Sequence, residues 1–214
     1  MNTPSQPSPP PVDPAATRHA LRSVRAIATF LIIFTVCLVA DLAIKHWAFN
    51  NFTPEPIDIH AVVAGEAGIP HDSMTIVPKV LAIKLTLNQG AVFGMFQGQR
   101  WFFMLATIVA IGVVGIFFAG TTPQQWPLHA ALALVLSGAM GNLYDRVFYA
   151  AVRDMFWLFP NVMLPFGWRW PNSPTGDVYP WLFNAADAFL LIGIGLILIY
   201  SLLGKSPAAK PNAS

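Results

Sequence analysis

Four stretches of the chain are apolar for about the length that a helix needs to cross a bilayer: residues 26–47, 101–119, 126–144 and 181–203. The hydrocarbon core takes roughly 20 helical residues. Backbone groups in lipid must find their hydrogen bonds within the segment, so each stretch is expected to be a helix. Only 10% of residues are charged, against about 25% in soluble domains. The expected fold is an all-α membrane protein, a four-transmembrane-helix bundle over residues 26–203. A disordered cytoplasmic tail is expected at 1–25 and a cytoplasmic tail at 204–214. Trp47, Trp101, Trp126 and Trp181 stand at the ends of the apolar stretches, where amphipathic rings prefer the interface.

Arg18, Arg22 and Arg25 precede the first stretch in the manner of a signal peptide. A cleaved one needs a small-x-small site followed by polar sequence. Here the helix pattern continues through Asp41 and Lys45, which argues for an uncleaved anchor. Cys37 follows Phe34, Thr35 and Val36, and the bulky Val36 argues against a lipidation box, so a buried thiol is expected. One cysteine permits no intrachain disulfide. His19, His46, His60, His71 and His129 show no H-x-x-x-H spacing, and no metal or cofactor is expected. The net charge of +2 gives no reason to invoke nucleic acid.

Lys and Arg flanking the stretches set the orientation. Arg18, Arg22, Arg25, Lys205 and Lys210 place both termini in the cytoplasm. The long connections 48–100 and 148–180 are then outside, and the short link 120–126 inside. With that topology Asp41 and Lys45, then Asn142, Asp145 and Arg146, then Asn184 and Asp187 all come to the outer face, although their helices run in opposite directions. Gly138, Asn142 and Asp145 share one helical face, as do Asn184, Asp187 and Leu191. Gly138, Gly141, Gly193 and Gly195 are expected where helices approach closely.

In the first outer connection, residues 79–88 alternate like a strand, with Leu81, Ile83, Leu85 and Leu87 on one side. Asn88, Gln89 and Gly90 then read as a turn. A small β-rich subdomain on the outer face is expected, preceded by a flexible insertion over 54–72. The second connection holds Phe156, Trp157, Phe159, Phe166, Trp168 and Trp170 with five prolines over residues 155–180. It is too broken to span and suits the interface. Asp177, within it, is expected in solvent.

Charged groups at membrane depth cost several kcal/mol, roughly 2.5 to 3.5 each on insertion scales, so the acids need an account. Asp41 and Lys45 stand at i, i+4 and are expected to pair. Asp145 adjoins Arg146 and is expected to hold it. Asn142 and Asn184 are expected to position their neighbours. Asp154 lies nine residues past Asp145, so the chain must bend back if it is to meet the bundle. Asp187 lies a turn inside its stretch with no cation nearby in sequence. Two carboxylates in a dry site share one proton. One can then act as base on a water and the other as acid on a carbonyl oxygen, which is aspartic peptidase chemistry.

At this point the chain resembles the lipoprotein signal peptidases (signal peptidase II). Asp41 with Lys45 resembles the family's D-x-x-x-K. Asn88, Gly90, Ala91 and Phe93 resemble N-x-G-A-x-F. Gly138, Gly141, Asn142, Asp145 and Arg146 match G-x-x-G-N-x-x-D-R, Val152 and Asp154 match V-x-D, and Phe183 to Asp187 reads F-N-x-A-D. The resemblance implies a bacterial inner-membrane endopeptidase with an extracytoplasmic site. Its substrates would be prolipoproteins carrying a diacylglyceryl cysteine, cut on the amino side of that cysteine. It implies Asp154 and Asp187 as the catalytic pair. Asp41, Lys45, Asn88, Gly90, Asn142, Asp145, Arg146 and Asn184 would bind substrate or support the pair. Membrane lipid would be the other partner. Met155 departs from the Phe usual after the first catalytic Asp, and both outer loops look longer than usual.

The alternative is a proton-coupled membrane carrier with Asp187 and Asp145 as a relay. Carriers tend to show repeated halves and midplane sites, and this chain shows neither. A membrane assembly subunit with structural ion pairs is also compatible with the composition. Cleavage of a lipidated prolipoprotein separates the three.

Overall fold

Side-chain caps start the first and last of the apolar helices. The computed structural model describes residues 19–70, 72–90, 99–171, 173 and 175–203. The expectations for tail residues 1–18 and 204–214, including Arg18, Lys205 and Lys210, and for His71, Ala91 and Phe93, lie outside them. Ser23 caps helix α1, Val24–Asn51, by accepting from the Ala26 amide. The first apolar stretch is thus a helix that continues one turn past Trp47. Helix α3 is Arg100–Gly120 and α4 is Trp126–Tyr149. Helix α5 is Ala185–Leu203, shorter than the expected 181–203, because residues before Ala185 are extended.

Among the described residues, three helices are long and apolar enough to cross a membrane: α1, α3 and α5. They turn Leu31, Ile32, Val36, Leu105, Ile108, Ile116, Leu198 and Leu202 outward. Helix α4 is the reverse case. It is the helix against which α1, α3 and α5 pack. It buries His129, Ser137, Asn142 and Asp145 along with Ala131, Leu132 and Ala133. Its polar groups face protein, the one place where the membrane tolerates them.

Small residues make the packing close. A Cβ on Gly138 would meet the Ala186 carbonyl oxygen, and one on Gly141 would meet the Asp41 carboxylate. A Cβ on Gly193 would stand 2.7 Å from Val135 Cγ2 and 2.8 Å from the Ala131 oxygen. Gly195 differs from expectation: its Cβ would have open space around it. At the other end of the bundle, Thr121 ties three elements together. Its hydroxyl donates to the Phe118 carbonyl (2.7 Å) and accepts from the His129 ring (2.8 Å), and its carbonyl accepts from the Ala20 amide (2.8 Å). The end of the stretch expected as tail is therefore built: residues 20–22 form a helical turn, with Ala20 fully buried.

The β-rich part is a four-stranded antiparallel sheet in sequence order. Its strands are β1 (Ser73–Val77), β2 (Leu81–Asn88), β3 (Val152–Leu158) and β4 (Leu182–Phe183). The expected strand over 79–88 is β2, and Lys79 before it takes φ 58 in the turn. Asn88 closes the expected turn by accepting from the Gly90 amide at 2.9 Å. Residues 54–72 are not simply a flexible insertion. Asp58 accepts from the Ala61 amide and Gly65 takes φ 79, which cap a short helix α2, Ile59–Ala64. Ile59 packs with Ala48, Phe49, Ile83, Leu85 and Met155, joining the sheet to the end of α1.

Adding a methyl at Gly193 should force α4 and α5 apart, and overpacking of this kind costs about 1–3 kcal/mol. Gly193→Ala should therefore lower the melting temperature in detergent, and Gly195→Ala should leave it unchanged or raise it slightly. Equal effects at the two positions would contradict this packing.

Candidate active site

The last turn of α4 delivers two charged groups into the bundle and then reverses. Ala150 takes φ 58 and ends the helix. The chain turns back at once into β3, so Asp145 and Arg153 meet eight residues apart. Arg153 donates from its backbone N (3.0 Å), Nε (3.1 Å) and Nη2 (2.7 Å) to the Asp145 carboxylate. Asp145 also lies 3.2 Å from Lys45 Nζ. This corrects the expected partner. Asp145 does not hold Arg146; it holds Arg153 and Lys45, all three buried. No sequence pattern marks Arg153 as its partner.

Lys45 sits at the centre of this group. Its ammonium is 2.8 Å from Asp41 Oδ2, as the i, i+4 spacing predicts, and it donates to Asn142 Oδ1 at 3.1 Å. Two ion pairs and one hydrogen bond thus surround a fully buried ammonium. Asp41 uses its other oxygen to accept from the Ala186 amide at 2.8 Å. That amide is one of the unpaired donors that every helix leaves at its N-terminus. The α1 pair therefore caps α5.

From Asn142 the network passes to the two remaining acids. Asn142 Nδ2 donates to Asp187 Oδ1 at 2.8 Å. Asn184 and Asp187 form a reciprocal cap: the Asn184 backbone N donates to Asp187 Oδ2 (3.2 Å), and the Asp187 N donates to Asn184 Oδ1 (3.0 Å). This is the capping-box arrangement with Asn and Asp. It is why the F-N-A-A-D segment starts a helix at Ala185. The Asn184 amide also donates to Asp154 Oδ1 at 2.7 Å and to Asn142 Oδ1 at 3.1 Å. Asn184 is thus bonded to both carboxylates, by its side chain to one and its backbone to the other.

Strand geometry sets Asp154 and Asn88. Thr86 pairs with Asp154 and Asn88 with Val152, so Asn88 is a diagonal neighbour on the same face. Its Nδ2 donates to Asp154 Oδ2 at 3.2 Å. Alternation sends Arg153 to the opposite face. Met155 is fully buried against Phe49 and Ile83, away from the acids.

Asp154 and Asp187 line one cavity of about 1010 Å³ together with Asn88, Gly90, Asn142 and Arg146. Arg146 lies over the Phe103 ring at 4.7 Å and donates to the Asn142 and Gly90 carbonyls at 3.3 and 3.4 Å. Below the acids the cavity runs between α3 and α5 along Ala106, Thr107, Ala110, Ala139, Leu190 and Ile194. Burial, and next the charge of Asp187, push the Asp154 carboxyl up to about 8 against the pull of the Asn184 and Asn88 amides. Asp154 is therefore built to keep a proton at neutral pH. Asp41, Lys45, Asp145 and Arg153 balance among themselves.

The Trp-rich connection forms a hairpin. Val178 N donates to the Val162 carbonyl and Leu164 N to the Gly176 carbonyl, both at 2.7 Å. This pairing buries Asp177, which was expected in solvent. The tip exposes Phe166 at 93% and Trp168 at 69%, while Trp170 packs at a tilt against Trp181 near the start of α5.

Removing one charge from the buried group leaves Lys45 and Arg153 undercompensated, which typically costs about 3–5 kcal/mol. Asp145→Asn should lower the thermal melting point in detergent well below wild type. Any activity should persist in the molecules that remain folded. An unchanged melt would refute this account of Asp145.

The family model described as signal peptidase (SPase) II matches residues 33–203. A lipoprotein signal peptidase of Latilactobacillus sakei is 30% identical over 174 residues, 81% of this chain and 93% of that protein. One of Anoxybacillus flavithermus is 37% identical over 130 residues, 61% and 68% of the two chains. A solved structure described as a bacterial membrane enzyme, determined by the in meso method at 2.3 Å, superimposes with a TM-score of 0.63 at 26% identity. It covers 88% of this chain and 96% of its own. The sequence match spans all three apolar helices, the sheet and the cavity between them: the chain belongs to the signal peptidase II family.

Proposed function

We propose that this chain is a lipoprotein signal peptidase in which Asp154 and Asp187 are the catalytic pair. It removes signal peptides from prolipoproteins by cutting on the amino side of a diacylglyceryl-modified cysteine. The observation that carries the assignment is the link through Asn184, which bonds both carboxylates in one cavity. Around the cavity four carboxylates (Asp41, Asp145, Asp154, Asp187) face three cations (Lys45, Arg146, Arg153). One proton on the pair makes the group neutral, and Asp154 is the acid whose surroundings favour holding it.

The chemistry follows from that state. Ionised Asp187 takes a proton from a water, whose oxygen attacks the scissile carbonyl carbon. Asp154 gives its proton to the carbonyl oxygen, producing a neutral tetrahedral diol. Collapse returns a proton to Asp154, and the leaving nitrogen takes its proton from Asp187 as the C–N bond breaks. Asn88, Asn142 and Asn184 orient the two acids. Gly90 and Arg146 lie where the peptide would pass, and the apolar slot between α3 and α5 would admit the lipid chains laterally. The exposed aromatic tip of the hairpin would lie in the interface and help to capture substrate. A carrier that relays protons through Asp187 and Asp145 fits poorly, because Asp145 is locked between Lys45 and Arg153.

For topology we infer four spans, with α4 as the fourth. Its 24 residues make about 36 Å of helix. Both termini are then cytoplasmic and the cavity faces outward, in a bacterial cytoplasmic membrane. Supporting this, the cavity is lined by the C-terminal part of α4 and the N-terminal parts of α3 and α5, helices that run in alternating directions. A reporter active only outside the cytoplasm, fused after Ser214, should be silent. Signal from it would overturn the topology.

Asp154→Asn and Asp187→Asn should each reduce cleavage of a lipidated prolipoprotein by on the order of 10,000-fold, the upper end for lost general acid–base catalysis, with melting preserved. Near-normal turnover in either would remove that residue from the pair. The pH profile should lose activity as pH rises through about 8, where Asp154 gives up its proton. Stability has the same sign. Unfolded Asp154 ionises near 3.8 and folded Asp154 near 8, so the folded state loses stability progressively across that window as pH rises. Asp154→Asn should flatten that slope.

A further inference from the structure

Tyr179 lies at the root of the hairpin, five residues before Asn184, and lines the same cavity as the two acids. It belongs to neither the buried charge group nor the Asn-linked pair. Its ring is gripped edge-on by Trp181, with centroids at 5.5 Å, and by Phe183 at 6.3 Å. Its carbonyl accepts from Trp157 Nε1 at 3.2 Å, which ties the residue to β3 three positions beyond Asp154. The backbone and the ring are thus held from both strands that flank the acids. The hydroxyl is different: it has no hydrogen-bond partner among the described residues. A half-buried phenol clamped at its ring but unsatisfied at its oxygen is placed to meet something that enters the cavity.

We propose that the Tyr179 hydroxyl contacts the substrate and donates a hydrogen bond to the carbonyl oxygen of the peptide bond being cut, most strongly as that oxygen gains charge. This rests on Asp154 and Asp187 being the catalytic pair. The amide donors around the acids are already committed. Asn88 and Asn184 bond Asp154, while Asn142 and the Asn184 backbone bond Asp187. Arg146 retains spare N–H groups, but it lies on the α4 side of the cavity over Phe103. Tyr179 supplies a neutral donor from the hairpin side. Burial, and then the charges of Asp187 and Asp154, raise its pKa above the ordinary phenol value, so it remains a donor throughout the working pH range. A fixed donor aimed at developing charge accelerates acyl transfer without tightening ground-state binding.

The test is Tyr179→Phe, which keeps the ring contacts and removes only the hydroxyl. The assay uses purified full-length enzyme and a diacylglyceryl-cysteine prolipoprotein in detergent. The expected result is a 10- to 1000-fold fall in kcat with KM within about twofold and an unchanged melting point. A tetrahedral mimic of the cleavage site, with a secondary alcohol in place of the scissile carbonyl, should lose affinity for the variant. The uncut amide substrate should bind as before. A kcat within twofold of wild type, or a loss confined to KM, overturns the proposal. Asp154→Asn and Asp187→Asn in the same assay separate the two levels. If they are inactive while Tyr179→Phe is normal, only this inference fails; if they retain activity, the assignment of the pair fails first.

Discussion

The ammonium of Lys45, buried between Asp41, Asp145 and Asn142, is the contact that the rest of the site depends on. A lone charge there would cost several kcal/mol. With three acceptors around it, the charge becomes a joint between four elements. Asp41 carries it to the N-terminus of α5 through the Ala186 amide. Asp145 carries it to β3 through Arg153. Asn142 carries it to Asp187. Each route ends at, or one residue from, a proposed catalytic acid. Buried ion pairs add little net stability compared with apolar packing. Their value here is geometric, because a shift of any one member leaves a charge uncompensated.

That geometry divides the acids by role. Asp41 and Asp145 each face cations at ion-pair distance as part of the scaffold. Asp154 and Asp187 instead meet amides: Asn88 and Asn184 on one, Asn142 and the Asn184 backbone on the other. Neutral donors fix the position of a carboxyl without supplying the charge that would force both to ionise. The proposed catalytic pair is thus held in place by amides, with no cation among the described residues at ion-pair distance from either carboxyl. Arg146, turned onto Phe103 and backbone carbonyls, offsets one negative charge at a distance without locking either acid.

Much of this was legible in the sequence because membrane and helix impose strong periodicities. Three apolar helices follow from hydropathy, the Asp41–Lys45 pair from i, i+4 spacing, and β2 from its alternation. The partner of Asp145 was not legible. It depends on α4 running to Tyr149 and on Ala150 taking a left-handed conformation that folds β3 back. No local pattern marks Ala for that conformation. Strand β3 was hidden because both of its faces are covered from Val152 to Met155, so alternation is lost. Asp177 looked solvated from its Pro-Thr-Gly surroundings, whereas the hairpin pairing that buries it is formed with residues 162–164. Helix α2 could have been found: Asp58 and Gly65 stand where caps belong.

The centre of the bundle is its least apolar helix, and this explains how a lipid-embedded enzyme can hold both charge and an opening. Helix α4 touches its neighbours through Gly138 and Gly141 at the level of the acids, where backbone and carboxylate come as near as a side chain would allow. Helices α3 and α5 both pack on α4, and the space between them is floored by Ala139 and walled by Ala106 and Ala110. Small residues on α3 and α4 leave a slot that opens beside the acids. A lipid chain can occupy that slot without displacing a charged group. A peptide bond reaches the acids only if its carbonyl is free of helical hydrogen bonds, since a helix buries its carbonyls in its own ladder. The sheet and the hairpin stand at that level, beside Gly90, Arg146 and Tyr179, where we propose that an unwound peptide exchanges its helical bonds. On this proposal the slot selects for lipid and the rim for extended backbone, so a substrate must present both at once.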